Sequence, residues 1–188
     1  MTLEQLMTIC PQLDETRARE YLPLLAEAMD DAGISGAPLR EAAFVATLAH
    51  ESNGLTQLVE VSPQAQAYVS KALGNADLSD ARRYIGRGPG QITGRRNYDT
   101  IGKMMGVDLI GHPYMLADPQ YGFLAAAKYW ELCGAAKWAD HGNFRVVSSL
   151  WNNGQVTGSI NGWDSRQIYY NRALKVLLGD QHGTASQR

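Results

Sequence analysis

The chain has 188 residues, 45% apolar and 19% charged, which is enough for one packed core and too rich in core formers for a disordered chain. A formal net charge of -2 gives no overall polyanion-binding character, so any basic patch is local. The two cysteines, Cys10 and Cys133, are too far apart in sequence to suggest a disulfide framework or a metal cluster, and both are expected to be free, buried thiols.

The opening MTLEQLMTIC has an acid, no basic stretch and no long apolar run, and no window of the chain reaches bilayer length. A protein folded in a cytosol, without stable membrane insertion, is expected. Leu3, Leu6, Met7 and Cys10 fall on one helical stripe. A second helix is capped by Asp14, and Pro23 is expected to kink or split it. Pro38 opens a third helix, running to about His50 or Asn53. Later, DPQYGFLAAAKYWELCG has Asp118 as cap, Pro119 at the first helical position and Gly134 just past the end. KWADHGNFRVVSSLW reads as a less regular helix, DSRQIYYNRALKVLLG as a strong one closing at Gly179, and the polar tail DQHGTASQR is expected to fray. Residues 84–94 and 152–163 are dense in glycine and polar groups, and no alternating strand pattern appears. The expected fold is mainly α with little β structure: one domain over residues 1–188 with functional loops.

The helix from Pro38 puts Glu51 on the face of Phe44, Thr47 and Leu48, a mixed face that suits a cleft wall. A carboxyl group partly shielded there has a raised pKa and can act as a general acid. A straight helix would separate Glu51 from Glu60 by roughly 14 Å, but Gly54 lets the chain fold back. Two carboxylates could then face each other across a cleft, at either the inverting or the retaining separation. The bland alternative is a structural carboxylate at the helix end, paired with a residue such as Arg40, and a surface acid at Glu60.

YIGRGPGQITGRRNY tips the balance. Its glycines make a close-approach turn around Arg87 and Pro89, followed by Gln91, Thr93 and Asn97 as hydrogen-bonding side chains. It has neither the phosphate-loop nor the dinucleotide-binding glycine pattern.

With AHESNG and LVE before it and SSLWNNG after it, this motif resembles the family 19 glycoside hydrolases, and most of all their bacteriophage endolysins, over about residues 15–178. The resemblance implies a lysozyme-like, chitinase-like helical fold of two lobes with a central cleft, and an inverting mechanism. It implies Glu51 as general acid, Glu60 as general base and Thr93 as the hydroxyl holding the attacking water. Gln91 and Asn97 fall on sugar-binding positions, and Asn152 matches the cleft asparagine, with Asn153 as its neighbouring alternative. Arg87 and Tyr84 of the same motif complete the expected substrate contacts. Asn53 stands where the family usually has a glycine. VSPQAQAYVSKALGNADLSDARR replaces a plant loop and is expected to form a small helical lobe, at about 62–83, over one end of the cleft.

The five arginines of residues 82–96 suit the carboxylates of peptidoglycan stems better than nucleic acid, since aromatic platforms are few there and the chain is slightly acidic. Internal pairing of Arg87, Arg95 or Arg96 with Glu51, Glu60 or Asp99 is the competing reading. The tryptophans are expected mostly in the core, with Trp151 the candidate for sugar stacking, and His50 is expected to be structural. The expected partner is bacterial peptidoglycan and the expected state a monomer, with no metal, cofactor or separate wall-binding domain. The absence of a signal peptide predicts accumulation in a host cytosol until a separate membrane pore releases the protein.

Overall fold

The computed structural model describes residues 1–61 and 68–179. Nine α-helices follow along these residues: α1 (Leu3–Ile9), α2 (Glu15–Asp31), α3 (Pro38–Glu51), α4 (Leu78–Arg83), α5 (Arg95–Met105), α6 (Pro119–Cys133), α7 (Ala136–Ala139), α8 (Phe144–Asn153) and α9 (Trp163–Leu178). A 3-10 turn at Pro113–Ala117 precedes α6, and the only ladder pairings among the described residues are the bridges Val59 to Arg87 and Arg87 to Ile92. The mainly α reading holds.

The caps read from the sequence are present. Asp14 accepts from the Arg17 amide to start α2, and Asp118 accepts from Gln120 to start α6, which Gly134 ends in a left-handed conformation. Pro23 does not split α2. The buried stripe Ala18, Tyr21, Leu25, Ala28 and Met29 runs past it on both sides and packs chiefly on α6, holding the helix continuous. The single helix expected near residues 137–151 is instead α7 and α8, parted at Gly142 (φ 67°), with Asn143 capping α8 by accepting from Val146.

α3 is the centre of the larger core, covered most extensively by α9. Phe44, Thr47 and Leu48 are at most 1% exposed, so the expected cleft wall is core, and only the last turn of α3 emerges at Glu51. Thr47 fits because its hydroxyl donates to the Ala43 carbonyl at 2.8 Å. A second, smaller core gathers Tyr84, Ile92, Tyr98, Ile101, Leu109, Leu116 and Ala125 beneath the glycine-rich loop. α6 contributes to both cores, which makes it the spine between two lobes.

Of the small lobe expected at about 62–83, residues 62–67 lie outside the described residues, as does the tail 180–188. The described remainder of that lobe holds α4, capped by Asp77. Among the described residues no helix is long and apolar enough to cross a membrane.

Candidate active site

The chain reverses after α3 through three consecutive residues in the left-handed region, Asn53 (φ 50°), Gly54 (φ 70°) and Leu55 (φ 64°). Buried Ser52 staples the turn: its hydroxyl donates to the Leu48 carbonyl at 2.7 Å and accepts from the Leu55 amide at 3.1 Å. Asparagine tolerates this conformation best among non-glycine residues, so Asn53 keeps the turn. Leucine does not, at a cost of about 1–2 kcal/mol. Complete burial of the Leu55 side chain, worth about 1.5–3 kcal/mol, offsets that strain.

Glu51 sits at the mouth of the larger core with its side chain 18% exposed. Arg166 of α9, 1% exposed, donates from Nη2 to Glu51 Oε1 at 2.6 Å. Its Nε donates to the Asn161 carbonyl at 3.1 Å, which fixes the guanidinium plane. Burial pushes the Glu51 carboxyl above its ordinary range, and the Arg166 charge tempers the rise without cancelling it. Arg40 is not the partner, because it is engaged with Asp140 at 2.6 and 2.7 Å. Arg166 was legible in outline: it falls on the buried stripe of α9 with Tyr169, Tyr170, Ala173 and Leu174, where a charge calls for a buried partner. His50 points elsewhere, with Nδ1 3.1 Å from Ser165 Oγ, and burial together with Arg166 pushes it down to about 4.

Glu60 is held by the glycine-rich loop. Its amide donates to the Gly86 carbonyl at 2.9 Å, and the Gly86 amide donates to Glu60 Oε2 at 3.0 Å. The Tyr68 hydroxyl donates to Oε1, so each carboxylate oxygen has a donor. A methyl group on Gly86 would lie 2.7 Å from Gln91 Oε1, 3.2 Å from Thr93 Oγ1 and 3.3 Å from Glu60 Oε2. Three residues singled out from the sequence thus converge on one glycine, the only residue type that leaves room for them. Thr93 Oγ1 donates to the Gln91 carbonyl at 3.0 Å, and Asn97 Nδ2 donates to the Thr93 carbonyl at 2.8 Å.

Two supports of Glu60 escaped the sequence reading. Asn75, 4% exposed, donates from Nδ2 to the Tyr68 carbonyl at 2.9 Å and accepts from the Arg95 amide at 2.8 Å, tying Tyr68 to the start of α5. Burial, and then Glu60 itself, pushes the Tyr68 phenol up to about 12, so it stays a donor.

Other expected contacts fall differently. Tyr84 is 2% exposed and tilted against Tyr98 at 5.2 Å, so it is a core residue and offers no face to a sugar. Arg87 is half-buried and spends Nη1 on the Arg83 carbonyl (2.8 Å) and the Tyr98 hydroxyl (2.9 Å), bracing the loop. Trp151 is 6% exposed, with Nε1 donating to the Gly90 carbonyl at 3.2 Å and its ring edge-on to Tyr129. It clamps the loop to α8 and is not a stacking platform. Asn153 is used within its own loop, donating to the Ser159 carbonyl at 3.0 Å and accepting from Gln155 at 2.9 Å. Half-buried Asn152 accepts from the Asn161 amide at 3.0 Å, and its Nδ2 has no partner among the described residues. No group of three His, Cys, Asp or Glu side chains among the described residues could hold a metal ion.

Residues 25–164 match the family model for class I chitinase. Endochitinase 1 of Theobroma cacao is 30% identical over 168 residues, a match covering 77% of this chain and 51% of that protein. The chain spans about half the length of the curated relatives it matches. Among solved structures, a bacterial family 19 chitinase superposes with a TM-score of 0.69 at 23% identity, covering 94% of both chains. Chitinase C of Streptomyces griseus gives 0.70 at 21% identity, covering 94% of this chain and 76% of that one. At such identities these structures speak to the fold alone.

Proposed function

The chain belongs to glycoside hydrolase family 19, and from that premise we propose that it is an endolysin of bacteriophage type. Its reaction is hydrolysis of the β-1,4 linkage between N-acetylmuramic acid and N-acetylglucosamine in bacterial peptidoglycan. Glu51, whose carboxyl burial holds above its ordinary range, donates its proton to the glycosidic oxygen as the bond breaks. Glu60 takes a proton from a water on the opposite face of the sugar, and Thr93 holds that water, so the anomeric configuration inverts. Gln91, Asn97 and Asn152 bind the flanking sugars. Each proton transfer is worth about 10²- to 10⁴-fold in rate. The protein acts as a monomer, collects in the host cytosol and reaches the wall through a separate membrane pore.

The observation that carries the reading is the gathering of Glu60, Thr93 and Gln91 around Gly86, with half-buried Glu51 paired to Arg166 at the end of α3. A second reading, a chitinase on the same fold, is favoured by the endochitinases among its relatives. The test compares wild type, Glu51→Gln and Glu60→Gln on purified cell walls and on chitin, with the new reducing ends identified. Muramic acid ends from wild type alone support the endolysin. Soluble sugars from chitin with intact walls select the chitinase, and equal lysis by all three proteins removes the catalytic assignment.

A further inference from the structure

Residues 82–96 carry Arg82, Arg83, Arg87, Arg95 and Arg96, and the fold accounts for three of them. Arg83 Nη2 donates to the Ile110 and Gly111 carbonyls at 3.0 and 2.9 Å. Arg87 braces the glycine-rich loop, and Arg95 lies 3.8 Å from Asp80 and over the Tyr84 ring. None of them reaches Glu51, Glu60 or Asp99, the last of which pairs with Lys103 at 2.6 Å. Arg82 and Arg96 are exposed and have no side-chain partner among the described residues.

Exposed arginines are ordinary, and their place in the fold separates these two. Arg82 stands in the last turn of α4 beside Arg83, whose guanidinium turns to the backbone of residues 110–111. Arg96 stands in the first turn of α5, next to Asn97 and three positions after Thr93. Its amide donates to the Leu73 carbonyl at 3.0 Å, and its Cβ packs on Gly74, so the stem is fixed while the head group has no partner among the described residues. Gly74, against which Arg96 packs, adjoins Asn75, whose amide donates to the carbonyl of Tyr68, the residue that holds Glu60, so Arg96 stands beside the segment that builds the Glu60 side of the site. Neither glutamate pairs with Arg96: Arg166 holds Glu51, and Tyr68 with Gly86 holds Glu60.

We propose that Arg96 binds a carboxylate of the substrate, a group that peptidoglycan strands carry and chitin lacks, and so sets the preference between the two polymers. The planar guanidinium fork matches a carboxylate bidentately, and no neutral sugar offers that match. The inference rests on the glycan-cleaving reading above. The acid is either the free lactyl group of a stripped strand or a carboxylate of the peptide stem.

The test measures kcat and KM for wild type, Arg96→Ala, Arg96→Lys and Arg82→Ala on four substrates. These are stem-bearing peptidoglycan, strands stripped of stems by an amidase, stripped strands with their carboxyls amidated, and chito-oligosaccharide. An exposed ion pair strengthened by substrate cover predicts a rise in KM of roughly three- to thirtyfold for Arg96→Ala on carboxylate-bearing strands, with kcat nearly unchanged. Arg96→Lys restores part of the loss, Arg82→Ala behaves as wild type, and amidation brings wild type down to the Arg96→Ala level. Whichever of the first two substrates shows the loss identifies the acid. Equal losses on chito-oligosaccharide, no loss on any substrate, or the same loss in Arg82→Ala overturns the proposal. If wild type cuts walls and Arg96→Ala matches it, only the arginine assignment falls. If wild type cuts chito-oligosaccharide and leaves walls intact, the endolysin reading falls with it.

Discussion

Glu51 and Glu60 stand nine residues apart and are built by opposite means. Glu51 is the last residue of a helix whose other faces are core, so its position follows from packing and its state from burial against one arginine. Glu60 lies in a segment with a single bridge to its neighbour, placed by hydrogen bonds from Gly86 and Tyr68. Packing sets the Glu51 side and hydrogen bonding sets the Glu60 side, so substitutions should break the two sides differently.

The largest effect is expected at Glu51. Glu51→Gln keeps the shape and removes the proton, so kcat should fall about 10²- to 10⁴-fold with substrate binding nearly intact, as single-turnover and binding assays would show. Next comes Arg166→Met, which leaves the carboxyl buried without its cation. Stability should fall by about 3 kcal/mol in denaturant melts. Burial then acts on Glu51 unopposed, so the alkaline limb of the pH–rate profile should move to higher pH, and a downward move would contradict the assigned balance.

His50 tests the same region through stability. Its folded-state value of about 4 lies below the ordinary 6.5, so its contribution is complete above pH 6.5 and is lost as pH falls toward 4, where the unfolded chain takes up a proton the folded chain refuses. Solvent screening of the part-exposed ring reduces the span to roughly 1–2 kcal/mol. Glu51 works in the other sense, since the fold holds its proton more tightly and acidification favours it. His50→Asn should therefore flatten the loss of stability between pH 6.5 and 4, as unfolding curves at both ends would reveal. The smallest effect is expected on the loop side. Tyr68→Phe removes one donor from Glu60, and kcat should fall about five- to tenfold while stability and the alkaline limb stay put.

What the sequence made legible follows the range of the interactions involved. Asp14, Asp118 and Gly134 act within one turn, so the boundaries they set are readable. The grouping of Thr93 and Gln91 near Glu60 is readable through a dense glycine motif. α5 escaped because only Tyr98, Ile101 and Gly102 of its eleven residues are buried, and Gly94 supplies no side-chain cap. Pro23 misled because tertiary packing overrides a local break. Tyr84 and Trp151 carry the same chemistry whether buried or exposed, and burial is decided by segments far away in the chain. The match of Arg166 to Glu51 spans 115 positions and joins two helices that only the fold brings together.

The account depends on Glu51 keeping its proton at the pH where Glu60 accepts one. Carbon-13 labelling of the glutamate carboxyls, with Glu51 identified by comparison with Glu51→Gln, would give its titration midpoint by NMR in the folded protein. The account predicts a midpoint above the ordinary 4.5. A midpoint at or below 4.5 would mean that Arg166 outweighs burial, and Glu51 could not be the acid.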